Sequence, residues 1–188
     1  MRKCEVIFAR ALSIESNDAL TNLDGLSSLI SLGEDLSIYN NGALDNLDGL
    51  SSLTSTGGSL DIWDNDTLTN LSGLGNLTKV DKGLTIALND ALLNLDGLSR
   101  LTSLGGKLRI LRNTALTNLN GLGGLASIGE HLEIKENHAL INLGLGSLLS
   151  VGSDLTITDN IVLPTAQAEA LAAQLIDFTG EVTISGNL

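Results

Sequence analysis

Apolar residues recur along this chain in fixed columns, and the columns predict short strands and tight turns rather than one long amphipathic helix. The unit reads L-x-I-x-x-N-x-x-L-x-x-L-x-G-L-x-x-L, with a mostly aliphatic position two residues later and then usually Gly. Its L-x-I element alternates inward and outward with period two, as a half-buried strand must. The Ile column runs Ile14, Ile38, Ile62, Ile86, Ile110, Ile134, Ile157 and Ile184 without exception. Beside it run Leu12, Leu36, Leu60, Leu84, Leu108, Leu132 and Leu155, ending at Val182. The period is read most easily from Asn17, Asn41, Asn65, Asn89, Asn113 and Asn137, since 41 minus 17 is 24 and each later step is the same. Asn160 comes one residue early, because Leu143-Gly144 lacks the residue present in Leu119-Asn120-Gly121, a deletion placed in a turn.

Stacking such units in parallel register, roughly 4.8 Å apart, sets each Ile on the Ile of the next coil. The fold class expected is all-β, a right-handed parallel β-solenoid of 24-residue coils with a short C-terminal capping α-helix. Gly25, Gly49, Gly73, Gly97, Gly121 and Gly144 mark one corner, usually after Asp or Asn, a pair suited to turns of positive φ. The Asn17 column, and a second one at Asn22, Asn46, Asn70, Asn94, Asn118 and Asn142, are read as ladders of amides at the bends. A six-fold repeated residue cannot define a unique site, so these columns are assigned to the fold. Both ends depart from the repeat. Residues 1–11 form an N-terminal cap, with Ile7 and Phe8 available to cover the first of the coils at 12–163. From Pro164 the chain is rich in helix formers, and a helix over 164–177 sets Leu171, Leu175 and Phe178 against the last core layer before the motif returns in 178–188.

Composition agrees with one such domain of 188 residues: 43% of the chain is apolar but only 2% aromatic, so aliphatic layers must fill the core. A net charge of -12 and a pI of about 4.3 oppose nucleic acid and anionic lipid as partners. Cys4 is the single cysteine, which excludes an intramolecular disulfide. No apolar run reaches the roughly 18 residues of a membrane span. Met1-Arg2-Lys3 makes a basic start, but Glu5 and Arg10 interrupt the apolar stretch beyond it and no small-residue cleavage site is recognised.

The unit Leu36-Ser37-Ile38-Tyr39-Asn40-Asn41-Gly42-Ala43-Leu44-Asp45-Asn46-Leu47-Asp48-Gly49-Leu50-Ser51-Ser52-Leu53 resembles the receptor L-domain family, which includes the ligand-binding domains of insulin and epidermal growth factor receptors and repeats in fungal and bacterial surface proteins. The resemblance covers roughly residues 12–188 and is nearest to the bacterial secreted type in the closing segment from Pro164 to Asn187. It implies a leucine-rich right-handed β-helix with an extracellular or cell-surface binding or adhesive role. Receptor members carry disulfides and cysteine-rich modules, which this chain does not match. The positions that match are inward Leu, Ile, Gly and Asn, so no ligand-contact residue is carried over.

Where the inward columns are fixed by packing, partner recognition falls to the outward ones. The middle of L-x-I runs Ser13, Ser37, Asp61, Thr85, Arg109, Glu133, Thr156 and Thr183. The next outward column runs Glu15, Tyr39, Trp63, Ala87, Leu111, Lys135, Thr158 and Ser185, and the last runs Ser16, Asn40, Asp64, Leu88, Arg112, Glu136, Asp159 and Gly186. The only Tyr and only Trp are thus expected to point outward on adjacent rungs, beside Ala87, Leu88 and Leu111, with Asp61, Asp64, Arg109 and Arg112 as a charged rim. Exposed aromatic and aliphatic surface with Arg nearby suits an interaction site. The expected partner is a protein or a glycan, and the alternative is a structural spacer or a scaffold that associates with copies of itself.

No catalytic residue, cofactor or metal ligand is expected. Asp18, Asp66 and Asp90 come after the ladder Asn and Asp24, Asp48 and Asp96 precede the corner Gly, a stacking that could hold calcium, but Asp-Gly is an ordinary turn pair and no G-G-x-G-x-D repeat is present. His131 and His138 fall in turn columns with no ligand cluster or nucleophile beside them. Only Thr156-Ile157-Thr158 has the Thr-x-Thr form of an ice-matching ladder, and Arg109 and Glu133 interrupt that column.

Overall fold

The computed structural model describes the backbone of residues 7–188 and the side chains of 10–188; Cys4 and the side chains of Ile7 and Phe8, expected to cover the first core layer, lie outside the described residues. Two parallel sheets run through the molecule. The eight-stranded sheet takes one L-x-I strand from each unit: Leu12–Glu15, Leu36–Tyr39, Leu60–Trp63, Leu84–Ala87, Leu108–Leu111, Leu132–Lys135, Leu155–Thr158 and Val182–Ser185, here numbered as rungs one to eight. Register is constant, with Ile38 beside Ile62, Ile62 beside Ile86 and Ile86 beside Ile110. A slip by one residue would turn every Ile outward, so the buried face itself locks the pairing.

The second sheet has seven strands, Ile7–Ala9, Leu29–Leu32, Ser55–Thr56, Lys79–Val80, Ser103–Leu104, Ser127–Ile128 and Ser150–Val151, and strands of the two sheets alternate along the chain. Most are two residues long, with Ser or Lys outward and an aliphatic side chain or Thr56 inward. Between the sheets lie Leu44, Leu47, Leu50 and Leu53 and their equivalents in later units, all without solvent exposure in the middle of the stack. Each such side chain contributes roughly 1.5–3 kcal/mol through burial. Exposure returns at the ends: Leu12 and Ile14 are half-buried and Val182 is exposed.

Corners are made differently from the expectation. Asp24–Leu26, Asp48–Leu50, Ser72–Leu74, Asp96–Leu98 and Asn120–Leu122 form single 3-10 turns, and their glycines do not take positive φ. Stacking distance is what demands glycine: a Cβ on Gly49 would lie 1.8 Å from the carbonyl oxygen of Leu23 in the preceding unit, and on Gly97 1.7 Å from that of Leu71. At the shortened corner Gly144 does take φ of +61°, the one member of its column to use glycine's conformational freedom.

The two asparagine columns also separate. Each amide of the first bridges rungs: Asn65 Nδ2 donates to Ile38 O at 3.0 Å, to Trp63 O at 3.1 Å and to Asn89 Oδ1 at 3.3 Å, while its backbone N–H donates to the same Asn89 Oδ1. This ladder continues to Asn160 and Asn187, so that buried polar groups at the bend are satisfied from unit to unit. The second column acts locally instead. Asn46 Oδ1 accepts from the Asp48 N–H at 3.0 Å, an Asx turn that opens each 3-10 turn.

Among the described residues one α-helix, Thr165–Gln174, stands where the seventh unit would otherwise turn, and it is shorter than the expected 164–177. Leu171 is buried, and Leu175 and Phe178, beyond the helix end, pack partly on the core. Gln167 and Gln174, two turns apart on one face, donate from Nε2 to Ile141 O and to Leu145 O and Leu148 O. At Ile141 the Gln167 amide stands in for the backbone N–H of a following unit, the place that the Ile141 N–H itself takes on Thr117 O one unit earlier. Among the described residues no helix is long and apolar enough to cross a membrane.

Candidate functional site

The outer face of the eight-stranded sheet carries the eight candidate residues on rungs two to five. Strand alternation directs Asp61, Trp63, Arg109 and Leu111 away from the core, with Tyr39 beside Trp63, Trp63 beside Ala87, and Leu111 beside both Ala87 and Lys135. Tyr39 and Trp63 stack face to face, their ring centroids 4.3 Å apart and their planes 6° from parallel. Parallel pairing imposes that geometry, since equivalent side chains repeat at about the 4.7–4.9 Å strand spacing. Both rings are half-buried, and Ala87 on the next rung is 8% exposed. The apolar strip therefore steps down from two large rings to a methyl and up again at Leu111.

After each of the first seven strands the chain takes a left-handed residue: Ser16, Asn40, Asp64, Leu88, Arg112, Glu136 and Asp159, with φ between 54° and 60°; Gly186 follows the eighth at 66°. Asn and Asp adopt this conformation readily, whereas Leu is an outlier there. Leu88 is also 40% exposed, so a large apolar side chain is held out at a position that disfavours it.

Charge is distributed unevenly over the same face. Arg109 Nε donates to Glu133 Oε2 at 2.7 Å, and Lys135 Nζ pairs with Glu133 Oε1 at 2.8 Å. Arg112 makes a two-pronged contact with Glu136, Nε to Oε2 at 2.8 Å and Nη2 to Oε1 at 3.2 Å. Burial alone would raise the Glu133 carboxyl, but hydrogen bonds from Lys135 and Arg109, with their charges, hold it below the ordinary glutamate range. The hydrogen bond from Arg112 lowers Glu136, and the same contact raises the Arg112 guanidinium. Asp61 and Asp64, at the Trp63 end, take part in no ion pair among the described residues. Residues 11–78 hold ten acidic side chains and no Lys or Arg, whereas 79–135 hold seven basic and five acidic ones.

Between the apolar step and the ion pairs lies a shallow depression of about 290 Å³, bounded by Ala87, Leu88 and Leu111 on one side and Arg112, Glu133, Lys135 and Glu136 on the other. Glu133, Lys135 and Glu136 were absent from the expected rim. The signal that finds them is opposite charge at the same column one unit later, 109 to 133 and 112 to 136. Another depression, about 420 Å³, opens on the other sheet beside Arg10, Ser31, Ser55 and Lys79, where Lys79 is held by Asp81 at 2.7 Å and no aromatic ring is present. Among the described residues no group of three or more His, Cys, Asp or Glu side chains is placed to hold a metal ion. Asp90, one of the calcium candidates, accepts from Thr114 Oγ1 at 2.9 Å, and His131 lies 3.5 Å from Asp154 with both side chains about half exposed. The chain matches no family model, no curated protein and no solved structure.

Proposed function

We propose that this chain is a right-handed β-solenoid serving as a non-catalytic binding or adhesion module, extracellular or at a cell surface, that presents the outer face of its eight-stranded sheet to a protein or glycan. The observation that carries the reading is the Tyr39–Trp63 stack: the only two large polar-tipped aromatics of the chain stand together on an outward face otherwise occupied by small, aliphatic and charged side chains. Interfaces concentrate their binding free energy in such aromatic anchors, with Arg beside them. The solenoid is supported by the alternation of strands between two parallel sheets and by the rule that parallel crossovers are right-handed. The L-domain resemblance of the repeat supports a surface location, and the net charge of -12 disfavours nucleic acid. Immobilised chain is screened against a glycan array and a panel of surface proteins, alongside a Trp63→Ala variant. Binding reduced at least about tenfold by the substitution supports the reading; a ligand indifferent to Trp63→Ala, or no ligand in either screen from a chain that also stays monomeric, removes this face from consideration.

The alternative of a self-associating scaffold is favoured by one observation, the placing of an acidic rung, Asp61 and Asp64, and a basic rung, Arg109 and Arg112, on either side of uncharged rung four of that same face.

A further inference from the structure

We infer that the outer face of the eight-stranded sheet is self-complementary and that its partner is a second copy of the chain, related by a two-fold axis lying along rung four, Leu84–Ala87. The inference rests on the proposed role of the outer face as the binding surface, and names its occupant.

Two sheets packed face to face by a two-fold axis have two simple arrangements. With the axis along the stack, every rung meets its own copy, and Asp61 and Asp64 of rung three face Asp61 and Asp64. Like charges placed opposite each other are destabilising. With the axis along the strands, position along the strand is kept and the rung order is reversed, so rung three meets rung five and rung two meets rung six. Because register is constant through the sheet, the matched residues are fixed by the rung order.

An axis on rung four sets Asp61 opposite Arg109, Trp63 opposite Leu111 and Asp64 opposite Arg112, each contact occurring twice by symmetry. Tyr39 comes opposite Lys135, and Ser37 and Asn40 come opposite Glu133 and Glu136. Leu88 meets its own copy at the axis, which gives an occupant to the exposed leucine held at φ of 55°. No like charges oppose one another in rungs one to seven. Neighbouring axes are worse matched. An axis on rung three opposes Asp61 to Asp61, one on rung five opposes Arg109 to Arg109, and one between rungs four and five opposes Asp61 to Glu133 and Asp64 to Glu136. Between rungs three and four the axis pairs only Glu15 with Lys135 and leaves Asp61, Asp64, Arg109 and Arg112 without opposite charges. Arg109 can serve both sides, since its contact with Glu133 uses only Nε.

Rungs one to seven span about 29 Å and a strand about 13 Å, a projected area of roughly 380 Å² per copy. That is near half of the roughly 800 Å² per partner of a standard interface, so the dimer should be weak and dependent on concentration and salt.

The test uses paired charge reversal read by sedimentation equilibrium over a range of concentrations, with circular dichroism as a check of folding. Asp61→Arg with Asp64→Arg sets Arg against Arg in a homodimer, and Arg109→Asp with Arg112→Asp sets Asp against Asp. Each double variant alone should dimerise about a hundredfold more weakly than the wild type. Mixed together they should form a heterodimer near wild-type affinity, because both symmetry-related sets then place Arg opposite Asp: the reversed positions 61 and 64 of one variant face the reversed positions 109 and 112 of the other, and native Arg109 and Arg112 face native Asp61 and Asp64. A wild type that stays monomeric at millimolar concentration, a dimer indifferent to either double variant, or folded variants that fail to combine when mixed would each overturn the inference. A monomeric wild type that still binds a glycan or foreign protein through Trp63 would sink the self-pairing while leaving the binding face intact.

Discussion

The two faces of the eight-stranded sheet are built from the same strands, yet they obey opposite rules. On the inner face a position repeats its residue, Ile on Ile for eight rungs, because each side chain packs on its own equivalents and a change in one layer is felt in two others. On the outer face Tyr39, Trp63, Ala87, Leu111 and Lys135 succeed one another in one column while the hydrogen bonding beneath them stays the same. Backbone pairing and the asparagine ladder sustain the rungs without help from the outer side chains. That leaves the outer face free to vary, and what it carries is a sequence of sizes and charges rather than a repeat.

Ile86→Asn should break this comparison most sharply on the inner side, since it removes a fully buried aliphatic layer and leaves an amide without partners; a loss of about 4 kcal/mol is expected from chemical denaturation. A negligible change in midpoint would contradict the packing of the inner column. Next in size is Gly97→Ala, whose Cβ would meet the Leu71 carbonyl; it should cost about 2–3 kcal/mol. Gly25→Ala, with no described atom within 4 Å of its Cβ, should leave the melting temperature almost unchanged. Equal effects of the two would show that the corner glycine is needed for its backbone conformation and not for stacking distance.

On the outer side the largest effect expected is of opposite sign. Leu88→Asn replaces a bulky residue by one suited to positive φ and should stabilise the isolated chain by about 1 kcal/mol in a thermal melt, while weakening association at high concentration. Destabilisation instead would mean that Leu88 contributes more to the monomer than its exposure allows. Smallest is the contribution of Glu133. Its carboxyl is held below the ordinary glutamate range in the folded chain, so the stabilisation it provides is present above about pH 4.5 and is lost as the pH falls through the lowered folded value. Glu133→Gln should therefore lower stability by under about 1 kcal/mol at pH 7 and by almost nothing at about pH 2–3. A difference that grows on acidification would have the wrong sign.

Much of the inner architecture was legible in the sequence because it rests on repetition. The Leu and Ile columns specify the long-strand sheet and its register, and the Asn17 column specifies the ladder. The second sheet was harder to see, since Ser55–Thr56 or Lys79–Val80 is too short to display alternation. Asn-x-Asp-Gly is ambiguous as well: the same residues suit a turn of positive φ and a 3-10 turn opened by an Asx contact, and only the proximity of the preceding unit decides between them. Of the candidate site, outward direction and rung order came from period two, which placed Tyr39 beside Trp63. The ion pairs of Arg109 and Arg112 depended on looking one full unit ahead, where Glu133 and Glu136 stand.

Asn113 joins Asn137 across 24 residues, Asn137 joins Asn160 across 23 and Asn160 joins Asn187 across 27, yet the amide contacts are the same. The contour length of a unit is thus uncoupled from the height of its rung. A residue lost at Gly144 or a helix added at Thr165–Gln174 is taken up at the corner, and the strands on either side do not register the change. Such a chain can gain or lose material at its corners without rewriting its faces, which makes the corners the natural points for grafted loops and leaves the order of outer side chains undisturbed.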